Sequence, residues 1–121
     1  MNSSVILHLA QILIALPFLD GGWATLRHPQ ERAKKIARMK FPSPLWSVRA
    51  NALLMVGAGL FLAIGAFPRY AALVLIFSLG LTTFFGHPFW IEQGMQREHE
   101  LRNFVKNLGV LGGLVLVAVV G

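Results

Sequence analysis

Four long apolar stretches, at residues 4–26, 48–67, 70–90 and 103–121, dominate the hydrophobic pattern of the chain. None of them shows the alternation of apolar and polar residues that marks a half-buried strand. Each has the length of about 20 residues that a helix needs to cross a bilayer. Backbone groups in lipid must be satisfied within their own segment, and the connections are short. The pattern therefore predicts an all-α integral membrane protein, an up-down bundle of four transmembrane helices in which residues 1–121 form one domain.

A short basic segment at residues 30–41 separates the first two apolar stretches. Its apolar residues, among them Ala33, Ile36 and Met39, alternate with bases at helical spacing, and Pro29 suits the first position of a helix. We expect a short basic interfacial helix that lies on the membrane surface between the first two spanning helices. Its bases favour anionic lipid headgroups as partners.

The distribution of lysine and arginine predicts the orientation of the bundle. The bases of the first and third loops are Arg27, Arg32, Lys34, Lys35, Arg38, Lys40, Arg97, Arg102 and Lys106. The second loop has only Arg69. By the positive-inside bias, the two basic loops face the cytoplasm and both termini are extracytoplasmic, in an inner or plasma membrane. Trp23, Trp46 and Trp90 all fall near the basic side, as expected for one aromatic belt.

Composition narrows the function classes. Of 121 residues, 55% are hydrophobic and 13% are charged, and no cysteine is present. Disulfides, thiolate metal sites and iron–sulfur clusters carried by this chain are therefore excluded. The net charge of +6 is mainly a topology signal, and we expect no nucleic-acid binding because no aromatic stacking platform accompanies the bases. The first stretch is full length and has no preceding base, so we expect it to persist as a helix rather than to act as a signal peptide.

Six polar residues fall at one depth near the basic side, and every predicted spanning helix contributes at least one. They are Asp20, Arg49, Asn51, His87, Lys106 and Asn107. A carboxylate within the apolar slab is costly unless it is paired, so we expect Asp20 to face Arg49 or Lys106. Two interpretations remain open: a polar clasp that holds the bundle closed, or a pocket that binds a quinone or lipid or handles protons.

Histidines and acids give no sign of an intrinsic cofactor. Pro88 predicts that the third helix kinks or ends near Gly86, beside His87. His8 and His87 lie at opposite ends of the bundle, on the order of 20 Å apart along the membrane normal, too far to share one haem iron. The loop acids are interspersed with bases, which indicates a solvated face; they are Glu92, Glu98 and Glu100. We expect no intrinsic cofactor, no metal site and no self-sufficient catalytic residues.

Small residues recur at positions where helices can approach closely. Gly109 and Gly113 are spaced by four in the last stretch, as are Gly59 and Ala63 in the second. These pairs predict close packing within the chain, with a homo-oligomer contact as the alternative.

Several short motifs occur in a fixed order along nearly the whole chain. They are FLDGG at 18–22, LRHP at 26–29, RAN at 49–51, VGAGL at 56–60, FPR at 67–69, GHPFW at 86–90 and KNLG at 106–109. Taken together, they resemble the DoxX family, and in particular its actinobacterial-type members. The resemblance implies a four-helix membrane protein linked to redox systems.

The resemblance leads to three functional hypotheses. The first is an accessory subunit of a respiratory or membrane redox complex near a quinone or lipid site, with other oxidoreductase subunits as partners. The second is a small carrier or binding protein for a lipid or quinone-like molecule. The third is a stand-alone membrane oxidoreductase.

Overall fold

The computed structural model describes residues 3–87 and 89–121, and no strand occurs among them. The five α-helices are α1 (Ser3–Arg27), α2 (Gln30–Ala37), α3 (Pro44–Ile64), α4 (Pro68–Leu81) and α5 (Gly94–Val120). A π-helical turn, Thr82–Gly86, continues α4, and a short 3-10 turn follows at Phe89–Ile91. Four helical segments in this part of the chain are long and apolar enough to cross a membrane. The predicted all-α fold with four spanning helices is therefore confirmed.

Prolines and left-handed residues set the limits of α3 and α4. Pro44 is the first residue of α3, where its missing N–H costs nothing. Gly65, with φ of 77°, ends α3, and Phe67, with φ of 47°, precedes Pro68 at the start of α4. The two helices therefore reverse direction within three residues. Hydropathy had predicted this turn between residues 67 and 70, two to three residues further along the chain, because it does not register these local signals.

The last helix begins at Gly94, much earlier than the predicted start at residue 103. Its first two turns are rich in glutamine, glutamate and arginine, which are good helix formers. Glu98 and Arg102, four residues apart, also pair on its exposed side at 2.9 Å. The apolar pattern detects the part of a helix that lies in lipid, so it missed this polar extension.

The core of the bundle is centred on α3, with α1 on one side and α4 on the other. Fully buried residues include Ala15, Leu62, Leu75 and Leu114. α1 packs closely along α3, and α5 packs mainly against α4. α1 and α5 contact each other sparsely. The bundle is consequently open along one seam, between its first and last helices.

The small-residue pairs serve contacts within the chain at three of their four positions, and one of these is Ala63, which packs against the buried core. A Cβ on Gly59 would lie 3.0 Å from a methyl of Leu19, and one on Gly113 would lie 3.2 Å from Cδ1 of Ile14. Gly109 has no neighbour within 4 Å of such a Cβ. Packing within the chain is thus present, and a homo-oligomer contact stays a prediction.

The predicted short helix between the first two spanning helices is also present, as α2. Ala33 and Ile36 are buried against Val48 of α3, with Phe41 and Phe85 packed beside them. This apolar cluster fixes α2 onto the end of the bundle. Its predicted place on the membrane surface remains a prediction.

Candidate ligand-binding cleft

Glu100 of α5 is the buried acid of this protein, with 1% of its side chain exposed. Its Oε1 accepts hydrogen bonds from Nζ of Lys35 at 3.0 Å and from Nε2 of Gln96 at 3.2 Å. Its Oε2 lies 2.9 Å from Nδ1 of His87, so a proton on that nitrogen donates to it. The prediction that Glu100 belongs to a solvated face is therefore wrong. The physical reason is that α2 and the chain beyond α4 cover this side of α5.

Three local features bring these groups together. The early start of α5 places Glu100 in its second turn, one turn after Gln96. The apolar underside of α2 fixes that helix so that Lys35 reaches across to α5. The π-helical turn ends at Gly86, and His87 leaves it with φ of −129° and ψ of 60°. The predicted helix end near Gly86 is confirmed, although Pro88, which predicted it, lies outside the described residues.

The charge around Glu100 is positive. Burial lowers the pKa of Arg32 from its ordinary value, while the nearby Glu100 carboxylate raises it. Arg32 is thus partly buried, and like Lys35 it interacts electrostatically with the Glu100 carboxylate. Lys35 pairs directly with Glu100, Arg32 lies within reach of its charge, and Lys106 lines the adjoining cavity as a third cation.

A second polar network holds α3 against α4. Nδ2 of Asn51 donates to Oγ1 of Thr82 at 2.9 Å, and Oδ1 of Asn51 accepts from Oγ of Ser78 at 2.7 Å. Asn107 makes a similar tie, since its Nδ2 donates to Oγ1 of Thr83 at 3.1 Å. Each asparagine therefore joins its own helix to the segment that follows α4, at the polar end of the bundle.

The predicted polar layer is not one interacting unit. The Arg49 guanidinium lies over the ring of Trp46, 5.1 Å from its centroid. Asp20 is exposed and has no ion pair within residues 3–87 and 89–121. Its predicted pairing with Arg49 or Lys106 is therefore absent, because α1 turns the neighbouring Gly21, and not Asp20, toward the bundle.

His87, Lys106 and Asn107 do come together, along a cavity of about 440 Å³ that we call the α1–α5 cleft. Its polar end is lined by Arg32, Lys35, Thr82, His87, His99, Asn103, Lys106 and Asn107. Its apolar end is lined by Pro17, Phe18, Met55, Leu79 and Val110. The volume lies in the usual range for small-molecule sites, about 300–1,000 Å³. Three of the six residues of the predicted polar layer therefore line this cleft. That the six residues bind a ligand remains a prediction.

The sequence contains one signal that could have located Glu100. Gln96, Glu100, Asn103 and Asn107 recur at spacings of three and four, so they share one face of a helix. That face becomes visible only if the helix is extended back to Gly94. Thr83, the partner of Asn107, carries no comparable signal.

Comparison with known proteins shows the family to which the sequence belongs. The DoxX family model matches residues 6–88, which cover α1 to the end of the π-helical turn. The chain belongs to the DoxX family. It is also similar to inner membrane protein YphA of Escherichia coli, with 26% identity over 117 residues that cover 97% of this chain and 84% of the relative. No solved structure is significantly similar to the chain.

The family assignment confirms the resemblance drawn from the motifs. Together with the four apolar spanning helices, the relationship to an inner membrane protein supports a multi-pass location of this DoxX protein in the inner membrane. The family match ends before α5, whereas the similarity to YphA extends over nearly all of the chain. The orientation of the termini remains a prediction.

Proposed function

We propose that this DoxX protein binds a lipophilic molecule with a polar head group, a lipid or a quinone, in the α1–α5 cleft. The observation that carries the proposal is the composition of the cleft along α5. Asn103, Lys106 and Asn107 line one end, and Val110 lines the other. Such a gradient matches an amphiphile whose head lies near the basic side and whose tail lies deeper in the bilayer.

The seam between α1 and α5 offers a route into the cleft. The two helices approach each other closely at Ile14 and Gly113, one turn beyond Phe18 and Val110 of the apolar lining. Between that contact and the polar end they stand apart, with Pro17, Gly21 and Val110 lining the gap. A ligand dissolved in the bilayer can therefore enter laterally, without passing through water.

A role as accessory subunit of a membrane redox complex is consistent with the same cleft, and it forms the second part of the proposal. The DoxX resemblance links such proteins to redox systems. The chain has no cysteine, so any thiol-based electron transfer needs a partner protein. A subunit that presents a quinone or lipid to neighbouring oxidoreductase subunits would have a link to redox systems and would leave the electron transfer to its partners.

Purification in nanodiscs cut directly from the membrane, followed by mass spectrometry of extracted lipids and quinones, tests the binding. We expect a lipid or quinone to be enriched over the bulk membrane with the wild type and to be lost with Val110→Trp, which fills the cleft. The matched control is Val105→Trp, on the same helix but 57% exposed, and it should retain the ligand. Equal enrichment with the two variants would contradict binding in the cleft.

Protein mass spectrometry of the same preparations tests the accessory role. Oxidoreductase subunits should be enriched with the wild type and with Val105→Trp. Enrichment of the ligand alone would favour a self-contained binding or carrier protein over a subunit.

A further inference from the structure

We infer that the ligand of the α1–α5 cleft is an anionic amphiphile, whose oxyanion head is a phosphate or a carboxylate, rather than a neutral quinone. This inference rests on the proposed function and specifies its substrate class. The shared chemistry is one negatively charged head group bound by Lys106 and Arg32.

The charge balance at the polar end of the cleft carries the inference. Glu100 is already compensated, because Lys35 lies 3.0 Å from one oxygen and His87 lies 2.9 Å from the other. Arg32 and Lys106 then remain as two formal positive charges on the lining. Among the described residues, Lys106 has no ion pair. The polar end is therefore a positively charged site that faces an apolar cleft.

The apolar surroundings of the cleft strengthen the preference for an anionic head group. Arg32 is half-buried beside the apolar cavity, where charges are screened less than in water, and Lys106 adds its positive potential from an exposed position at the rim. An anionic head group offsets this potential and accepts charge-assisted hydrogen bonds. A quinone presents only neutral carbonyl acceptors, so it gains less from the same lining.

The remaining acids do not cancel the site. None of them lines the cleft, and Glu92 and Glu98 are held by ion pairs with Arg38 and Arg102. Asn103 and Asn107 add side-chain amides without charge. Among the described residues, the lining thus combines cations with neutral hydrogen-bonding groups and contains no carboxylate.

Native mass spectrometry of the purified full chain in phosphatidylcholine nanodiscs gives a direct test. Phosphatidic acid, oleate and decylubiquinone are each added at the same mole fraction. We expect phosphatidic acid or oleate to be retained in preference to decylubiquinone and phosphatidylcholine, and whichever acid dominates identifies a phosphate or a carboxylate head. Lys106→Gln should reduce this retention about tenfold, the change that loss of one charge-assisted hydrogen bond produces.

Two further variants separate specific binding from general attraction. Lys34→Gln removes the same charge from an exposed site on α2 outside the cleft, and it should retain the anion as the wild type does. Lys106→Arg keeps the charge, so it should restore retention and show that any loss with Lys106→Gln is not a folding defect.

The possible failures are distinguishable. Retention of decylubiquinone that is blocked by Val110→Trp but unaffected by Lys106→Gln would overturn the anionic head group and leave the proposed function intact. If Lys34→Gln and Lys106→Gln reduce retention equally, the anion binds the basic surface and the inference is wrong. Retention of every lipid regardless of Val110→Trp, or of none by the wild type, would overturn the proposed function together with the inference.

Discussion

Replacing Glu100 tests whether the buried acid holds α2, His87 and α5 together. Glu100→Gln keeps the shape of the side chain but removes the charge that attracts Lys35. Hydrogen bonds to charged groups contribute about 1.5–3 kcal/mol each in water-soluble proteins, whereas polar contacts measured inside membranes average about 0.6 kcal/mol. The Lys35 side chain is 34% exposed, so solvent screens its part of the interaction. We therefore expect Glu100→Gln to lower the free energy of unfolding by about 1–2 kcal/mol.

A larger loss is expected when the acceptor is removed altogether. Glu100→Ala leaves Lys35, His87 and Gln96 without their shared partner, and breaking a buried ion pair costs about 3–5 kcal/mol when the remaining charge stays buried. Because Lys35 can turn toward water, the expected loss for Glu100→Ala is about 2–4 kcal/mol. Unfolding in mixed micelles with increasing dodecyl sulfate, followed by tryptophan fluorescence, measures both variants.

The matched control is Glu98→Gln, which makes the same substitution two residues away on the same helix. Glu98 pairs with Arg102 at the exposed surface, where 52% and 79% of the two side chains are accessible, so its loss should change stability by less than about 0.5 kcal/mol. Combining Glu100→Gln with Lys35→Met should give a coupling of about 1 kcal/mol. Strictly additive losses, or equal losses for the two glutamates, would refute the role assigned to Glu100.

Three further predictions follow from the packing, the second polar network and the topology. Gly22→Ala should lower the free energy of unfolding by about 1–3 kcal/mol, because its Cβ would lie 2.8 Å from a methyl group of α3. Gly57→Ala, in open space on α3, should be neutral or stabilising by up to about 1 kcal/mol in the same assay. Asn51→Leu should cost about 1–2 kcal/mol, because two hydroxyl groups of the α4 segment lose their partner; no loss would mean that the network is dispensable. A cysteine at Lys34 should react with a membrane-impermeant thiol reagent only from the cytoplasm, and one at Gly121 only from outside; the reverse would overturn the charge argument.

The number and order of the helices could be predicted from the sequence because hydropathy over about 20 residues is a strong signal. The first and last residues of the helices could not be predicted in the same way, because hydropathy reports where a segment enters lipid and not where the helix begins or ends. The start of α5 at Gly94 and the end of α3 at Ile64 depend on helix propensity and on left-handed turn residues. The amphipathic helix α2 was predicted correctly because its apolar residues recur with the period of a helix.

The candidate site could be predicted only in part. His87, Lys106 and Asn107 were selected by depth, and they do line one cleft. Depth alone does not indicate which side of each helix faces the bundle. Asp20 was therefore expected to be paired, whereas in the structure it is exposed. Glu100 was missed because it stands among charged neighbours in the sequence, and its burial depends on α2 folding over it.

The sequence by itself determined that this chain forms four spanning helices, a basic side and a short amphipathic helix between the first two. These features follow from local composition and periodicity, which act over one helix at a time. Only the tertiary structure decided that Glu100 is the buried acid and that α1 and α5 leave a cleft between them. Those outcomes depend on the rotation of each helix about its own axis and on contacts such as Lys35 with Glu100, which join residues far apart in the chain. Rotation is set by packing against neighbouring helices, since lipid offers no hydrophobic force that would select one face.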